Sequence, residues 1–309
     1  MKSTLVTSYV NPDLDGVASA IAYGEFLQKR GKNVVVGIIG ELQDEARYIF
    51  TRFGFAYPCM ISDADAFDEV ILVDASDLNG LEGKIDPKKV IEIIDHRKTN
   101  EVYKFVHAKA QIELVGAAAT LIAEKFLQNS IGISKESATL VHGAIISNTL
   151  NYKGSVTTDR DKKAASWLNR VTKLPHNFWK ELFIAKSDVA GKKLAKRIGD
   201  DFAWFILGEK KVGIAQIEMM GAKNLIEERG AEIVYTLEKI KKEMHLDIVF
   251  QNTIDLEGGK NFFIANDHQT KQLLEKVLKV RFAGIVAEKP GLMMRKQIIP
   301  LIKDELEKK

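Results

Sequence analysis

Continuous apolar runs alternate with helical segments through the first hundred residues of the chain. The runs cover residues 5–10, 33–39, 69–73 and 90–94, and helical patterns over residues 16–28 and 43–53 separate the earlier ones. Apolar strands connected by helices are typical of a parallel sheet that is covered on both faces. The pattern therefore predicts an α/β fold with a parallel sheet in the N-terminal half.

Acidic and imidazole side chains follow three of these predicted strands. Asp13 and Asp15 lie in the sequence Asn-Pro-Asp-Leu-Asp-Gly after the first run, Asp74 ends the third, and Asp95-His96-Arg97 ends the fourth. Parallel strands place their carboxyl ends at one edge, where ligands bind in such sheets. Hard oxygen ligands suit Mg²⁺ or Mn²⁺, so the sequence predicts a metal site. The alternative for the first motif is a turn in which Asp15 or Asn11 caps the helix.

The second half of the chain predicts a further α/β domain. Its predicted elements are a hairpin (202–207 and 211–217), a helix (223–244), two strands (246–251 and 261–264) and a helix (269–279). We expect one domain over residues 1–186, a second over 194–309, and a hinge near 187–193 in which Gly191 supplies the flexibility.

Composition excludes several classes of protein. The 309 residues suffice for about two domains, and the net charge of +3 gives no push toward nucleic acid or a membrane surface. The single cysteine, Cys59, excludes an internal disulfide and a zinc–cysteine cluster. No apolar run has the length of a membrane span or a signal peptide. We therefore expect a cytoplasmic protein that binds neither nucleic acid nor membrane.

The order of motifs resembles the DHH phosphoesterase superfamily, and within it the family II, manganese-dependent inorganic pyrophosphatases. The motifs are Asn-Pro-Asp-x-Asp-Gly, Val-Asp, Ile-Asp-His-Arg, Glu-x-Val-Gly-x-x-Ala-Thr and Ala-Ile-Ile-Ser-Asn-Thr-Leu, at residues 11–16, 73–74, 94–97, 113–120 and 144–150. The likeness continues at residues 185–188, 211–218 and 295–300. It covers nearly the whole chain in order and at similar spacing.

This resemblance implies a two-domain hydrolase. The N-terminal parallel-sheet domain would hold two divalent metals, and a smaller C-terminal domain would supply basic residues and close over the phosphates, with the active-site cleft between them. Water activated by the metals would attack phosphorus. The resemblance also implies a homodimer formed through the edge of the N-terminal sheet.

The resemblance assigns roles to particular residues. Asp13 would bind one metal and Asp15 the other, with Asp74 between the two and His96 on the second. Asp95 would orient the site or His96. The predicted catalytic group is Asp74, His96 and Arg97, and the predicted phosphate-binding residues are Arg97, Lys186, Arg295 and Lys296.

Four positions depart from the family pattern. Tyr9 stands where the family has a histidine ligand, and Asn148, a weak ligand at best, stands where it has an aspartate. Arg97 replaces the second histidine of the signature, and Met294 replaces a basic residue. Of six expected metal ligands, Asp13, Asp15, Asp74 and His96 remain, so we expect one good site for Mn²⁺ or Mg²⁺ and one weak or absent site. Arg97 partly replaces the missing metal by its positive charge.

Three functions stay open from the sequence. The first is a metal-dependent phosphohydrolase acting on pyrophosphate, short polyphosphate or a nucleotide, with altered ligands that change the substrate or weaken activity. The second is a degenerate relative that binds a phosphorylated small molecule without turnover. The third is a haloacid-dehalogenase-type phosphatase, suggested by Asp13-Leu14-Asp15-Gly16 and Gly199-Asp200-Asp201, which leaves Asp95-His96-Arg97 unexplained.

Overall fold

The chain divides into two compact units. The computed structural model describes residues 2–98, 100–189 and 193–308, and the units comprise Met1–Ala185 and Lys186–Lys309. Gly191, the predicted hinge residue, lies outside the described residues. The domain limits and the cleft stay predictions.

The first unit is built on a six-stranded parallel sheet. Its strands are β1 (Thr4–Thr7), β2 (Val34–Ile39), β3 (Cys59–Ile61), β4 (Glu69–Val73), β5 (Val90–Asp95) and β6 (Lys109–Ile112). They lie in the order β3-β2-β1-β4-β5-β6. The order reverses between β1 and β4, and a reversal of this kind opens a ligand crevice at the carboxyl ends of the strands.

Six α-helices accompany this sheet within the residues that the structure describes. They are α1 (Leu14–Lys29), α2 (Asp44–Phe53), α3 (Ala118–Gln128), α4 (Lys135–Asn148), α5 (Asp159–Thr172) and α6 (Phe178–Lys186). Small residues let α1 pack closely on the sheet, since a Cβ on Gly24 would lie 2.3 Å from Cγ2 of Val36. The neighbouring Ala18, Ala20 and Ala22 are fully buried. Close packing of α1 fixes its N-terminus, and with it Asp13 and Asp15, at the edge of the sheet.

The second unit has a mixed sheet. Its strands are β7 (Phe202–Leu207), β8 (Lys210–Met219), β9 (Ile248–Asp255), β10 (Lys260–Ile264), β11 (Phe282–Ala283) and β12 (Val286–Pro290). They lie in the order β11-β12-β10-β9-β8-β7. The pair β8–β9 is parallel and the other pairs are antiparallel. The helices are α7 (Lys193–Asp200), α8 (Ala222–Glu243), α9 (His268–Leu278) and α10 (Arg295–Leu306).

The predicted α/β fold with a parallel N-terminal sheet is confirmed, and the pattern missed mainly short or marginal elements. The edge strands β3 and β6 have three and four residues and are largely exposed, so neither has an apolar run long enough to predict a strand. Helices α6 and α10 and the strands β11 and β12 were also not predicted. Within the described residues, no helix is both long and apolar enough to cross a membrane.

Candidate metal centre

Three predicted ligands meet at the carboxyl edge of the parallel sheet. Asp15 lies in the first turn of α1, Asp74 follows β4 and His96 follows β5. One ligand atom from each lies within 4.8 Å of the others. Nε2 of His96 is 3.4 Å from Oδ1 of Asp74 and 3.7 Å from Oδ2 of Asp15. We call Asp15, Asp74 and His96 the ligand cluster.

Hydrogen bonds orient the imidazole of His96 toward the two carboxylates. Its Nδ1 lies 3.0 Å from the carbonyl oxygen of Val115, which favours the tautomer with Nδ1 protonated and Nε2 directed at the cluster. Oδ1 of Asp95 accepts from the backbone N–H of His96 at 2.6 Å. The other oxygen of Asp95 accepts from the Ser76 hydroxyl. Asp95 thus holds the backbone of His96 rather than joining the cluster.

Asp15 has a structural role that the sequence pattern did not reveal. Its two carboxylate oxygens accept from the backbone N–H groups of Ala118 and Ala119, each at 2.8 Å. These groups begin α3, whose own N-cap residue, Ala117, provides no side-chain cap. Asp15 therefore caps a helix 103 residues away in sequence. This cap fixes the carboxylate and adds the positive end of a helix dipole to the site.

Asp74 has an unusual backbone conformation. Its φ of 52° lies in the left-handed region, which non-glycine residues seldom adopt and which often marks functional positions. Its backbone N–H still donates to the carbonyl of Ile94 at 2.8 Å. The turn directs the buried carboxylate of Asp74 toward His96.

Asp13 lies beside the ligand cluster but is not one of its three members. Its Oδ1 accepts from the backbone N–H groups of Asp15 at 2.8 Å and Gly16 at 3.1 Å. Asp13 is the N-cap of α1. The motif therefore does contain a helix cap, as the alternative predicted, but the capping residue is Asp13 and not Asp15 or Asn11. The backbone N–H of Asp13 donates to the hydroxyl of Tyr9 at 2.9 Å.

Arg97 is held against Tyr9 and lies next to Asp74. The guanidinium carbon lies 5.2 Å from the centroid of the Tyr9 ring, a cation–π distance. Nη2 donates to the carbonyl of Asp74 at 2.8 Å, and Nη1 lies 3.4 Å from Oδ2 of Asp77. We call Tyr9, Asp77 and Arg97 the arginine side of the edge. A permanent positive charge is therefore fixed next to the ligand cluster.

Asn148 and Glu45 complete the surroundings. The amide nitrogen of Asn148 donates to Oδ2 of Asp15 at 2.7 Å, so its nitrogen rather than its oxygen faces the cluster. The buried Glu45 accepts from Leu14 N–H at 3.3 Å and from the Ser147 hydroxyl at 2.5 Å. Glu45 thereby ties the loop of Asp13 and Asp15 to the end of α4. Sequence reasoning missed it because an acidic residue in the first turn of a helix is ordinary.

The protonation states follow from burial and charge. Burial raises the pKa of Asp15 well above its usual range, and the negative charge of Asp74 adds to this. Burial opposes protonation of His96, but Asp74 and Asp15 outweigh it and raise its pKa to about 10. Burial, with Asp13 and Asp74, raises the pKa of Tyr9 far above its usual value. Tyr9 is therefore a neutral phenol, which is a poor metal ligand.

The donor set of the ligand cluster fits a divalent cation. Two carboxylates and one imidazole suit Mn²⁺ or another first-row metal, and the cation would stabilise the two buried negative charges. The phenol of Tyr9 and the amide nitrogen of Asn148 do not add to this set. The residues therefore fit one cation better than two.

Two of the three predicted phosphate-binding residues of the second unit take part in internal contacts. Lys186 Nζ lies 3.2 Å from Oε2 of Glu218. Arg295 begins α10, and its Nη2 lies 2.7 Å from Oδ1 of Asp201. Lys296 follows it, and burial lowers the pKa of its amine.

Family comparisons agree with this architecture. The family model described as DHH family, N-terminal domain, matches residues 3–145, and that of the DHHA2 domain matches residues 180–305. Fold and site define a two-domain α/β protein whose parallel sheet has, at one edge, three side chains placed so that they could ligate a metal. The chain belongs to the DHH phosphoesterase superfamily, in the group with family II pyrophosphatases. The aspartates taken as a haloacid-dehalogenase signature fall in these DHH and DHHA2 domains.

Individual relatives span the whole chain. The manganese-dependent inorganic pyrophosphatase of Methanothrix thermoacetophila is 32% identical over 98% of both chains. That of Bacillus subtilis is 28% identical over 99% of both. A solved Methanococcus jannaschii structure, assigned to the family II inorganic pyrophosphatases, has a TM-score of 0.75 and 29% identity over 99% of this chain and 100% of its own. An exopolyphosphatase-related protein from Bacteroides fragilis, 13% identical with a TM-score of 0.52 over 99% of this chain and 92% of its own, shares the fold.

Proposed function

We propose that the chain is a metal-dependent phosphohydrolase that uses one Mn²⁺ per site. The observation that carries this proposal is the ligand cluster, whose donor atoms lie within 4.8 Å of one another. The names of the full-length relatives support manganese as the metal and a phosphoanhydride as the bond that is cleaved.

In this proposal the ligand cluster and the arginine side have different roles. Asp15, Asp74 and His96 hold the cation, which when bound supplies the charge that activates water and polarises a phosphoryl oxygen. Asp95 keeps His96 in position, and Arg97 provides a fixed charge for the phosphoryl oxygens with its remaining donors. Asp13 shapes the start of α1 by capping its first turn with Oδ1. Lys186, Arg295 and Lys296 are the proposed phosphate contacts of the second unit.

Phosphate release tests this function. The purified chain is assayed with Mn²⁺, Mg²⁺ or Co²⁺ on pyrophosphate, tripolyphosphate, nucleotides and phosphate esters. We expect metal-dependent release that Asp74→Ala abolishes and Asp159→Ala, a change at an exposed carboxylate of the same unit, leaves intact. Release without added metal, or release that survives Asp74→Ala, would contradict the proposal.

The second candidate is a protein that binds a phosphorylated molecule without turnover. The contact of Asn148 with Asp15 favours it, because the amide nitrogen already occupies Oδ2 at 2.7 Å. Tight binding of a phosphorylated ligand with no phosphate release under any metal would select this candidate.

A further inference from the structure

The backbone at the start of α3 contacts two of the three side chains of the ligand cluster. The carbonyl oxygen of Val115 lies 3.0 Å from Nδ1 of His96. The backbone N–H groups of Ala118 and Ala119 donate to the two carboxylate oxygens of Asp15, each at 2.8 Å. Outer partners of this kind set the orientation of metal-binding side chains. The position of this backbone therefore decides where the ligand atoms of both side chains point.

A buried carboxylate on α5 holds the same stretch of backbone. The side chain of Asp161 is fully buried. Its two oxygens accept from the backbone N–H of Gly116 at 3.0 and 2.9 Å, and its Oδ1 also accepts from the hydroxyl of Thr120 at 2.6 Å. Gly116 directly follows Val115, and Thr120 directly follows Ala119. Asp161 is therefore bonded at both ends of the stretch that contacts the ligands.

The glycine in this stretch allows the carboxylate to reach the backbone. We call residues 115–120 the support segment. A Cβ at Gly116 would lie 2.9 Å from Oδ2 of Asp161 and 2.6 Å from Cγ2 of Thr149, well inside the packing distance of about 3.5–4.0 Å. The close approach of Asp161 thus needs glycine at this position. This contact gives a role to the glycine and the threonine of the motif Glu-x-Val-Gly-x-x-Ala-Thr.

Asp161 also takes part in the cap of its own helix. Its Oδ2 accepts from the backbone N–H of Thr158 at 2.6 Å and from the Thr158 hydroxyl at 2.7 Å, which forms a capping box at the start of α5. A capping box needs only local partners. Gly116 and Thr120 lie 45 and 41 residues earlier in the sequence, so capping does not account for these two contacts.

We propose that Asp161 is a positioning residue of the metal centre, because it holds the support segment whose backbone groups orient His96 and Asp15. The inference deepens the proposed function and rests on it, since it concerns the same metal site. Asp161 acts on the geometry that the ligand cluster has before the cation arrives. A loosened support segment leaves the ligands less preorganised, and the affinity for Mn²⁺ should fall.

Asp161→Asn tests the proposal with a change that nearly conserves shape. The N–H of Gly116 donates to both oxygens of Asp161, so either orientation of the new amide directs its nitrogen at one of these contacts. Calorimetry measures the affinity of the full chain for Mn²⁺. We expect a loss of about tenfold, the lower end of the effect of removing an outer partner of a metal ligand. Thr120→Val removes only one hydroxyl contact and should give a smaller loss.

Thr158→Ala is the matched control. It damages the same capping box and leaves the contacts of Asp161 with Gly116 and Thr120 in place. We expect Thr158→Ala and Asp161→Asn both to lower the melting temperature, since both weaken the cap of α5, but only Asp161→Asn to weaken Mn²⁺ binding. Wild-type affinity in Asp161→Asn, or an equal loss of affinity in Thr158→Ala, would overturn the proposal.

Amide hydrogen exchange provides a readout that needs neither metal nor turnover. The amides of Ala118 and Ala119 donate to Asp15, and their exchange rates report how often these bonds open. Nuclear magnetic resonance on the metal-free protein should show faster exchange at both amides in Asp161→Asn and unchanged exchange in Thr158→Ala. Unchanged exchange in Asp161→Asn would overturn the proposal.

Phosphate release separates failure of this proposal from failure of the proposed function. Metal-dependent release by wild type, together with wild-type Mn²⁺ affinity in Asp161→Asn, would overturn the positioning role and leave the phosphohydrolase intact. Absence of release from every substrate, together with faster exchange and weaker Mn²⁺ binding in Asp161→Asn, would overturn the phosphohydrolase and support Asp161 as a positioning residue of a metal-binding site.

Discussion

The ligand cluster and the arginine side supply positive charge to the sheet edge in different ways. On the ligand cluster, two buried carboxylates and an imidazole present lone pairs for a cation that must come from solution. On the arginine side, a guanidinium covalently attached to the chain lies 5.2 Å from the Tyr9 ring centroid and donates to the Asp74 carbonyl at 2.8 Å. Both place positive charge next to Asp74. Only the charge at the ligand cluster can be lost or replaced, because it belongs to a cation bound from solution.

This difference teaches that a site with few metal ligands need not lack positive charge. Arginine remains protonated at any pH at which the protein is folded, and it matches phosphate geometry with several donors. It cannot activate water as a metal ion does. Water activation should therefore depend on the ligand cluster, while the arginine side should affect phosphate binding and transition-state charge.

The largest expected effect comes from removing Asp74. Asp74→Ala takes away a ligand between the two sides, so we expect hydrolysis to fall by at least about a thousandfold and Mn²⁺ binding to be lost. Phosphate release and metal calorimetry measure the two effects. Asp159→Ala should behave like wild type in both, and Mn²⁺ binding retained by Asp74→Ala would break the assignment of the ligand cluster.

Removing the fixed charge should have a smaller and more selective effect. We expect Arg97→Ala to lower kcat/KM about a hundredfold, the scale of losing one preorganised charged donor, without weakening Mn²⁺ binding. Arg97→Lys should recover part of the loss, because lysine restores the positive charge but not the planar, bidentate donors of the guanidinium. Parallel loss of Mn²⁺ affinity in Arg97→Ala would mean that the two sides are not separate.

Introducing at Tyr9, Arg97 and Asn148 the ligand types that the resemblance leads us to expect should create a second metal site beside the ligand cluster. The triple variant Tyr9→His, Arg97→His, Asn148→Asp should bind a second Mn²⁺ and release phosphate from pyrophosphate about tenfold faster, since two metals clamp both oxygens of the displacement. Analytical metal content and phosphate release provide the readouts. Unchanged metal content would count against any latent two-metal chemistry.

The smallest expected effect is the release of about one proton from His96 when Mn²⁺ binds. Without metal, the pKa of His96 is raised to about 10, so the imidazole is protonated at pH 7. Mn²⁺ needs the neutral ring and must displace that proton. Calorimetry in buffers of different ionisation enthalpy should therefore show proton release on binding, and Mn²⁺ affinity should rise as pH increases from 6 toward 9. Affinity that is constant across this range would contradict the account of His96.

The raised pKa of His96 also makes the stability of the metal-free protein depend on pH in a defined direction. A histidine charged in the folded metal-free protein stabilises it fully below the unfolded pKa of about 6.5, and the contribution is lost as pH rises through about 10. Metal-free protein should therefore melt at lower temperature at pH 9 than at pH 7. In His96→Gln the melting temperature should fall less between pH 7 and pH 9, because the contribution of the charged histidine is missing.

Much of the sheet edge could be predicted because it depends on local pattern. Continuous apolar runs identified β1, β2, β4 and β5, and the polar residues after three of them fall at one edge because the strands are parallel. The short edge strands β3 and β6 were missed, since three or four exposed residues carry no periodic signal.

Contacts between residues distant in sequence could not be predicted. Asp15 caps α3 across 103 residues, and Glu45 reaches Ser147 across 102. Nothing in either local sequence indicates the partner. The pairing of Arg295 with Asp201, 94 residues apart, is of the same kind. It shows that a basic motif can be compensated by acids that the motif does not contain.

The number of Mn²⁺ ions per chain tests the central claim most directly. Metal-free protein would be titrated with Mn²⁺ by calorimetry, and the bound ion counted independently by electron paramagnetic resonance. The account predicts one ion per chain in wild type and none in Asp74→Ala. Two ions bound to wild type would show that Tyr9, Asn148 and Arg97 do not prevent a second site, and would contradict the division of the edge into a ligand cluster and an arginine side.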